Sequence, residues 1–216
     1  MKRIIRLLLI VALLGAGLFA LAGTWRDPWL WAYLTVFATI AAVAMAVITD
    51  DLARERYQPP SQGADRLSLR TIRLVALAHL IVGVLDGYRF HWSTVPDWLR
   101  VVGLVGFGVS FALVTRAMAV NRFFSAVVRV QDDRGHHVID RGPYAIVRHP
   151  GYAGMIPFAP FSALALGSWA SLPIALLYSA LILRRVMFED RFLRANLAGY
   201  SEYAQRVPYR LVPRAW

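Results

Sequence analysis

Between positions 136 and 154 the chain reads H-H-V-I-D-R-G-P-Y-A-I-V-R-H-P-G-Y-A-G, gathering histidine, arginine and tyrosine side chains beside apolar segments that hold few ionisable groups. Such groups at a membrane boundary cost free energy unless they bind something, so this stretch is the candidate active site. A second polar cluster, Phe188-Glu189-Asp190, closes the apolar run that follows. Arg148 offers a rigid fork of donors suited to an anionic group, and Glu189 an acceptor for the hydroxyl or amino groups of a cofactor. This pair suits a charged, water-soluble cofactor reaching the site from the aqueous side while a greasy substrate arrives sideways from lipid. Each residue also has a plainer role: Arg148 as a ligand of lipid phosphate, Glu189 as the helical partner of Arg185 four residues earlier, His149 as a helix cap. Their convergence favours a site, and that convergence requires the chain to fold back on itself.

Composition sets the setting in which this happens. Of the 216 residues 58% are hydrophobic and only 17% charged, and one soluble domain of this size does not hide so much apolar surface. The chain reads as an all-α, polytopic membrane helix bundle. Its formal charge of +11 is spread in short blocks between apolar runs, as expected where segments meet anionic head groups, and not gathered into a nucleic-acid surface. There is no cysteine, which excludes disulfides, thiolate chemistry and cysteine-ligated metal, and no metal site is assigned.

Taken in order, Ile4 to Ala22 reads as a retained first span, since no small-x-small cleavage site follows it. Trp29 to Thr49 is long enough to cross a hydrocarbon core of roughly 30 Å, and its leading Trp29, Trp31 and Tyr33 suit an interfacial belt. Asp50 to Arg70, with Pro59, Pro60 and Gly63, reads as an aqueous loop. A third span over Thr71 to Tyr88 carries His79, expected to hydrogen-bond a neighbouring helix, and Asp86, expected near the far interface within reach of water. A fourth runs from Leu99 to about Val120, with Gly103, Gly106 and Gly108 permitting close helix packing.

Gly151 to Phe188 is far longer than one crossing needs and is divided by Gly167-Ser168-Trp169, so it should form a helical hairpin, out and back. Pro150 is best placed in the first helical turn, which makes Arg148-His149-Pro150 the helix start and puts Tyr152 in its first turn. The returning arm brings Glu189 to the same side, and Arg184 to Trp216 forms an arginine-rich tail continuing that helix. With even crossings one side receives 21 of the 24 Lys and Arg residues, which assigns both termini and the site to the cytoplasm. The chain divides into N-terminal spans over residues 1–98 and a site-bearing region over 99–216, with six crossings or four plus a partly inserted hairpin.

The run G-P-Y-A-I-V-R-H-P-G-Y-A-G, the apolar hairpin, F-E-D-R-F-L and then G-Y-S-E-Y-A-Q-R-V-P-Y-R-L-V-P together resemble the isoprenylcysteine carboxyl methyltransferase and related phospholipid methyltransferase families. The likeness covers roughly residues 100 to 214, with weaker support from L-A-R-E-R-Y-Q-P upstream. It implies S-adenosylmethionine as cofactor, held without a Rossmann sheet. By matching positions it implies Arg148 and Glu189 as the catalytic pair. It implies a cofactor site built from His136, Gly142, Tyr144, His149, Pro150, Tyr152, Glu189 and Tyr200. Arg148 and Arg206 are implied as substrate contacts, and Tyr200, Tyr203 and Arg206 as members of a covering tail. The family often has two adjacent glutamates where this chain has Phe188-Glu189-Asp190, so Glu189 carries over and Asp190 is the weaker match.

Methyl transfer from a sulfonium is an in-line displacement: a carboxylate acceptor needs positioning and exclusion of water, whereas an amine must first lose a proton, for which His149 is the candidate base. The absence of a dedicated acid–base pair leans toward the carboxylate. The first reading is therefore an integral membrane methyltransferase acting on a lipid-like or prenylated substrate. Its arginine-rich, lysine-poor composition suggests a bacterial inner membrane. The runner-up is a non-catalytic lipid-binding or assembly factor on the same scaffold. A transporter is disfavoured by the lack of paired ionisable groups deep in the spans.

Overall fold

The computed structural model describes the backbone of residues 2–57 and 65–216, and no strand occurs among them. Eight α-helices follow one another: α1 (Lys2–Ala22), α2 (Pro28–Val47), α3 (Asp50–Tyr57), α4 (Arg66–Val84), α5 (Asp97–Val120), α6 (Pro150–Ala165), α7 (Leu172–Asn196) and α8 (Tyr200–Arg206). By length and composition Pro28–Val47, Ser68–Phe90 and Asp97–Val120 each suffice to cross a membrane, and α1 adds a shorter apolar stretch, Leu7–Ala22. Leu8, Leu13, Leu74, Val105 and Leu176 all point outward, as they must in lipid. The chain is thus an all-helical integral membrane protein.

The helix ends follow from local chemistry. Asp27 caps α2, its Oδ1 accepting the Trp29 and Leu30 amides at 2.8 and 3.3 Å, with Pro28 in the first turn. The expected loop over Asp50 to Arg70 is corrected: Asp50–Tyr57 forms α3 and Arg66 already opens α4. Two acidic residues in the first turn of α3, Asp50 and Asp51, complement its dipole. Pro59, Pro60 and Gly63 lie outside the described residues. Glu55 then accepts Ser125 Oγ at 2.6 Å and Arg129 at 2.9 Å, and Asp51 pairs with Arg134, so α3 fastens the irregular segment that follows α5.

Because lipid is as apolar as a leucine side chain, these helices associate through close packing. A Cβ on Gly103 would lie 2.4 Å from the Ala165 amide nitrogen, and one on Gly154 would lie 2.5 Å from the Ser110 carbonyl oxygen. The α5–α6 contact therefore depends on glycine from both sides. Gly106 faces Phe161 as closely, whereas Gly108 faces Val36 on α2 at 3.4 Å, an ordinary packing distance. Tyr33, Phe107 and Leu166 fill one core where α2, α5 and α6 meet, and Tyr152, Ala163, Tyr178 and Val186 fill another along the α6–α7 pair.

The hairpin expected from Gly151 to Phe188 is present, with α6 and α7 joined by the turn 166–171. Gly167 adopts φ +77° there, against the Arg100 guanidinium, where a side chain would be strained. Asp86 is corrected by this turn. Far from meeting water it is fully buried, accepting the Ser93 amide and hydroxyl at 2.7 and 2.6 Å, Ser168 Oγ at 2.5 Å and the Ala170 amide at 3.2 Å. A single π-helical turn, Leu85–Phe90, continues α4 and carries Asp86 to these donors. His79 behaves as expected, with Nε2 3.0 Å from Ser162 Oγ on α6.

Candidate active site

Pro150 opens α6 with His149 immediately before it, as its missing N–H dictates. The Arg148 and His149 amides donate to the Tyr209 and Arg210 carbonyls, each at 2.9 Å, so the C-terminal tail lies across the start of the helix. From the other arm, α7 passes its apolar section and arrives beside this corner carrying Glu189 and Asp190. The two adjacent carboxylates then part company.

Asp190 turns inward. Its Oδ1 accepts Arg148 Nε at 2.8 Å and Tyr200 Oη at 3.1 Å and lies 3.3 Å from His149 Nε2. Its Oδ2 accepts Arg210 Nε at 3.1 Å and both Arg148 and Arg194 at 3.3 Å. Burial alone would push this carboxyl up, but hydrogen bonds from His149, Arg148 and Arg210 outweigh it and hold Asp190 well below the usual carboxylate range. Arg148, 3% exposed, gives a further bond to the Val207 carbonyl at 2.8 Å. Three of its five N–H groups are therefore spent on the protein, and its first duty is to join α6, α7 and the tail.

Glu189 turns outward, half-buried, into the cavity. Tyr152 donates its hydroxyl to Glu189 Oε2 at 2.5 Å, and Arg185 Nε donates to the same Tyr152 oxygen at 2.9 Å. Arg185 and Glu189, four residues apart on α7, thus meet through Tyr152. Arg185 is fixed in turn by the Ala126 carbonyl at 2.6 Å and the Asp65 carboxylate at 3.1 Å. No donor among the described residues reaches the second Glu189 oxygen, which leaves one acceptor for a ligand.

The cavity encloses about 580 Å³, within the roughly 300–1,000 Å³ common for small-molecule sites. His136, Tyr144, Arg148, His149, Tyr152, Glu189 and Tyr200, all expected at the site, line it. His136 accepts the Gln131 amide on Nδ1 at 3.2 Å, and burial, aided by the neighbouring His137, lowers it to about 4. It is therefore a neutral ring whose Nε2 carries the proton. Tyr203 donates to the Tyr144 carbonyl at 2.7 Å, so α8 supports the 3₁₀ turn Gly142–Ala145. Gly142, at φ +59°, packs against Val120 and shapes that turn without facing the cavity. Pro150 is a positioning residue of the helix start. Arg206 stands apart from the others, with its exposed side chain paired to Asp140 at 3.0 Å on the surface. Sequence reasoning overlooked Asp65, Arg194 and Arg210, which act by fastening other residues and carry no motif of their own. No trio of histidine and carboxylate groups suited to a metal ion occurs among the described residues.

The opposite wall is apolar and comes from α1, α2 and α4, including Ile10, Phe37, Ala41 and Ala76. One chamber therefore joins polar groups from the hairpin ends and the tail to a hydrocarbon-lined interior.

Residues 101–195 match the family model described as the isoprenylcysteine carboxyl methyltransferase family. Protein-S-isoprenylcysteine O-methyltransferase B of Arabidopsis thaliana is 25% identical over 161 residues, 68% of this chain and 79% of that protein. A probable protein-S-isoprenylcysteine O-methyltransferase of Oryza sativa is 33% identical over 119 residues, 51% of this chain and 59% of the rice protein, so the likeness spans little more than half of that relative. The solved structure of the eukaryotic intramembrane Ras methyltransferase ICMT aligns with a TM-score of 0.50 at 18% identity, covering 92% of this chain and 82% of that one, and shares its fold. The matched segment contains Arg148, His149, Pro150, Tyr152 and Glu189, and over residues 101–195 the chain is similar to the isoprenylcysteine carboxyl methyltransferase family.

Proposed function

We propose that the protein transfers a methyl group from S-adenosylmethionine to an amphiphile held partly in lipid, with a carboxylate as the acceptor. The observation that carries this reading is the single chamber in which Glu189, Tyr152, His149 and Tyr200 meet apolar walls from α1, α2 and α4. The free oxygen of Glu189 suits the hydroxyl or ammonium donors of the cofactor, and the neutral His136 ring suits an aromatic or polar neighbour. These residues fit S-adenosylmethionine, which supplies an electrophilic methyl group on a positively charged sulfur.

In this reading Glu189, oriented by Tyr152 and Arg185, binds the cofactor, and Arg148 aligns the acceptor with the two N–H groups that Asp190 and the Val207 carbonyl leave free. The tail and the segment over 121–139 exclude water, which preserves a carboxylate's reactivity in an in-line displacement. No proton needs to move, so His149 serves through its contacts with Tyr200 and Asp190. An amine acceptor would instead require His149 to take a proton. Residues 99–216 supply the cofactor site and residues 1–98 the walls that face the substrate tail. The arginine asymmetry supports a cytoplasmic site and a bacterial inner membrane.

The test is methyl transfer from labelled S-adenosylmethionine into a bacterial membrane extract, followed by mass spectrometry. A labelled, base-labile amphiphile that disappears with Glu189→Ala supports the reading. Bound lipid with no cofactor uptake and no labelled product would favour a non-catalytic lipid-binding protein.

A further inference from the structure

A second cavity of about 250 Å³ lies deeper in the bundle and shares Ile10, Phe37, Ala76 and Tyr178 with the first as walls. Its lining is almost wholly hydrocarbon and aromatic, and the polar groups come from Tyr33, His79 and Tyr178. Both approach Ser162 of α6: Tyr33 Oη lies 2.9 Å and His79 Nε2 3.0 Å from its Oγ, and all three residues are at most 2% exposed. Three helices thus contribute one hydrogen-bonded cluster to the inner cavity. The mechanism makes no use of it.

We propose that this cluster is the end-stop of a tail-length gauge. The acceptor's single hydrocarbon tail passes between Phe37, Ala76 and Tyr178 into the inner cavity and ends against Tyr33 and His79, which Ser162 ties together from behind. This inference rests on the methyltransferase reading and names the property by which its substrate is chosen. The physical basis is asymmetric. Methylenes gain by filling the apolar part of the path, whereas a methylene pushed into the cluster would separate buried hydrogen-bond partners without replacing them. Tyr152 and Ser162 stand ten residues apart on α6, so the path is about 15 Å long at 1.5 Å per residue. A tail of medium length fits it, and a longer one must coil or remain outside.

The experiment uses the full chain in lipid nanodiscs and a homologous series of single-tailed carboxylates from octyl to octadecyl, read both by methyl transfer and by the shift in Tm on binding. The wild-type protein is expected to show an optimum at intermediate length. Ala159→Leu, which fills the inner cavity, and Ala76→Phe, which narrows the passage, both move that optimum to shorter tails. Each methylene denied burial weakens binding about fourfold. Folded variants with the wild-type length profile would overturn the inference while methyl transfer persists. A wild-type optimum in Tm shift without methyl transfer to any tail would instead defeat the methyltransferase reading and leave the gauge standing.

Discussion

The Arg148 guanidinium and the Asp190 carboxylate, 42 residues apart in sequence, meet through two hydrogen bonds of 2.8 and 3.3 Å in a fully buried pair. That pair brings the beginning of one hairpin arm to the end of the other. Removing one member of such a pair leaves the remaining charge without compensation, at a cost of about 3–5 kcal/mol. Asp190→Asn is expected to lower the Tm of the detergent-solubilised protein sharply and to abolish cofactor binding with it. Thermal unfolding followed by tryptophan fluorescence checks this.

Acid should weaken the fold in two steps. His136 has its native value lowered to about 4, so below about 6.5 the unfolded chain takes up a proton that the native ring refuses, and stability falls as pH drops from about 6.5 to 4. Asp190, outside the apolar section of α7, has its native value held down. Its contribution is complete above the ordinary value of 3.8 and is lost as pH falls below it. A Tm-against-pH profile is expected to be flat above about pH 7 and to fall in both windows. His136→Gln should diminish the upper step and leave the lower one unchanged.

Gly103 lies where α5 comes closest to α6. Gly103→Ala puts a methyl group against the backbone at Ala165, which cannot move aside as a flexible side chain would, and overpacking of this kind costs about 1–3 kcal/mol. Gly108→Ala, facing Val36 at 3.4 Å, is expected to be nearly neutral by comparison. Parallel thermal denaturation of the two variants separates close packing from helix propensity, which favours alanine in both.

Arg206, implied by motif matching as a substrate contact, is an exposed partner of Asp140. Surface pairs of this type are worth no more than about 1 kcal/mol. Arg206→Ala is therefore expected to leave methyl transfer within about twofold of wild type, whereas Tyr152→Phe, which removes the hydroxyl donated to Glu189, raises the KM for S-adenosylmethionine. Steady-state kinetics at varied cofactor concentration checks both.

The hairpin was legible because its signals are local: Pro150 sets a helix start, Gly167-Ser168-Trp169 interrupts an apolar run, and the run exceeds one crossing. The division of labour between Glu189 and Asp190 was not, because two neighbouring residues on a helix differ by about 100° in direction and only the tail determines which of them meets Arg148. Asp86 was misplaced for a related reason. Its donors are Ser93, just beyond the end of its own helix, and Ser168 and Ala170 from the distant hairpin turn, and nothing in the α4 pattern announces them. The role of Arg185 was half visible: its spacing from Glu189 suggested a direct pair, and the intervening Tyr152 hydroxyl belongs to another helix.

The central claim is that Glu189 faces the chamber to hold a cationic cofactor while Asp190 holds the fold. Equilibrium binding of S-adenosylmethionine to the nanodisc-embedded protein, compared with Glu189→Gln of unchanged Tm, tests it most directly. The account predicts saturable binding by the wild-type chain and a loss of about tenfold or more in the variant, the scale of a charged hydrogen bond. Equal affinity in the two folded proteins would contradict it.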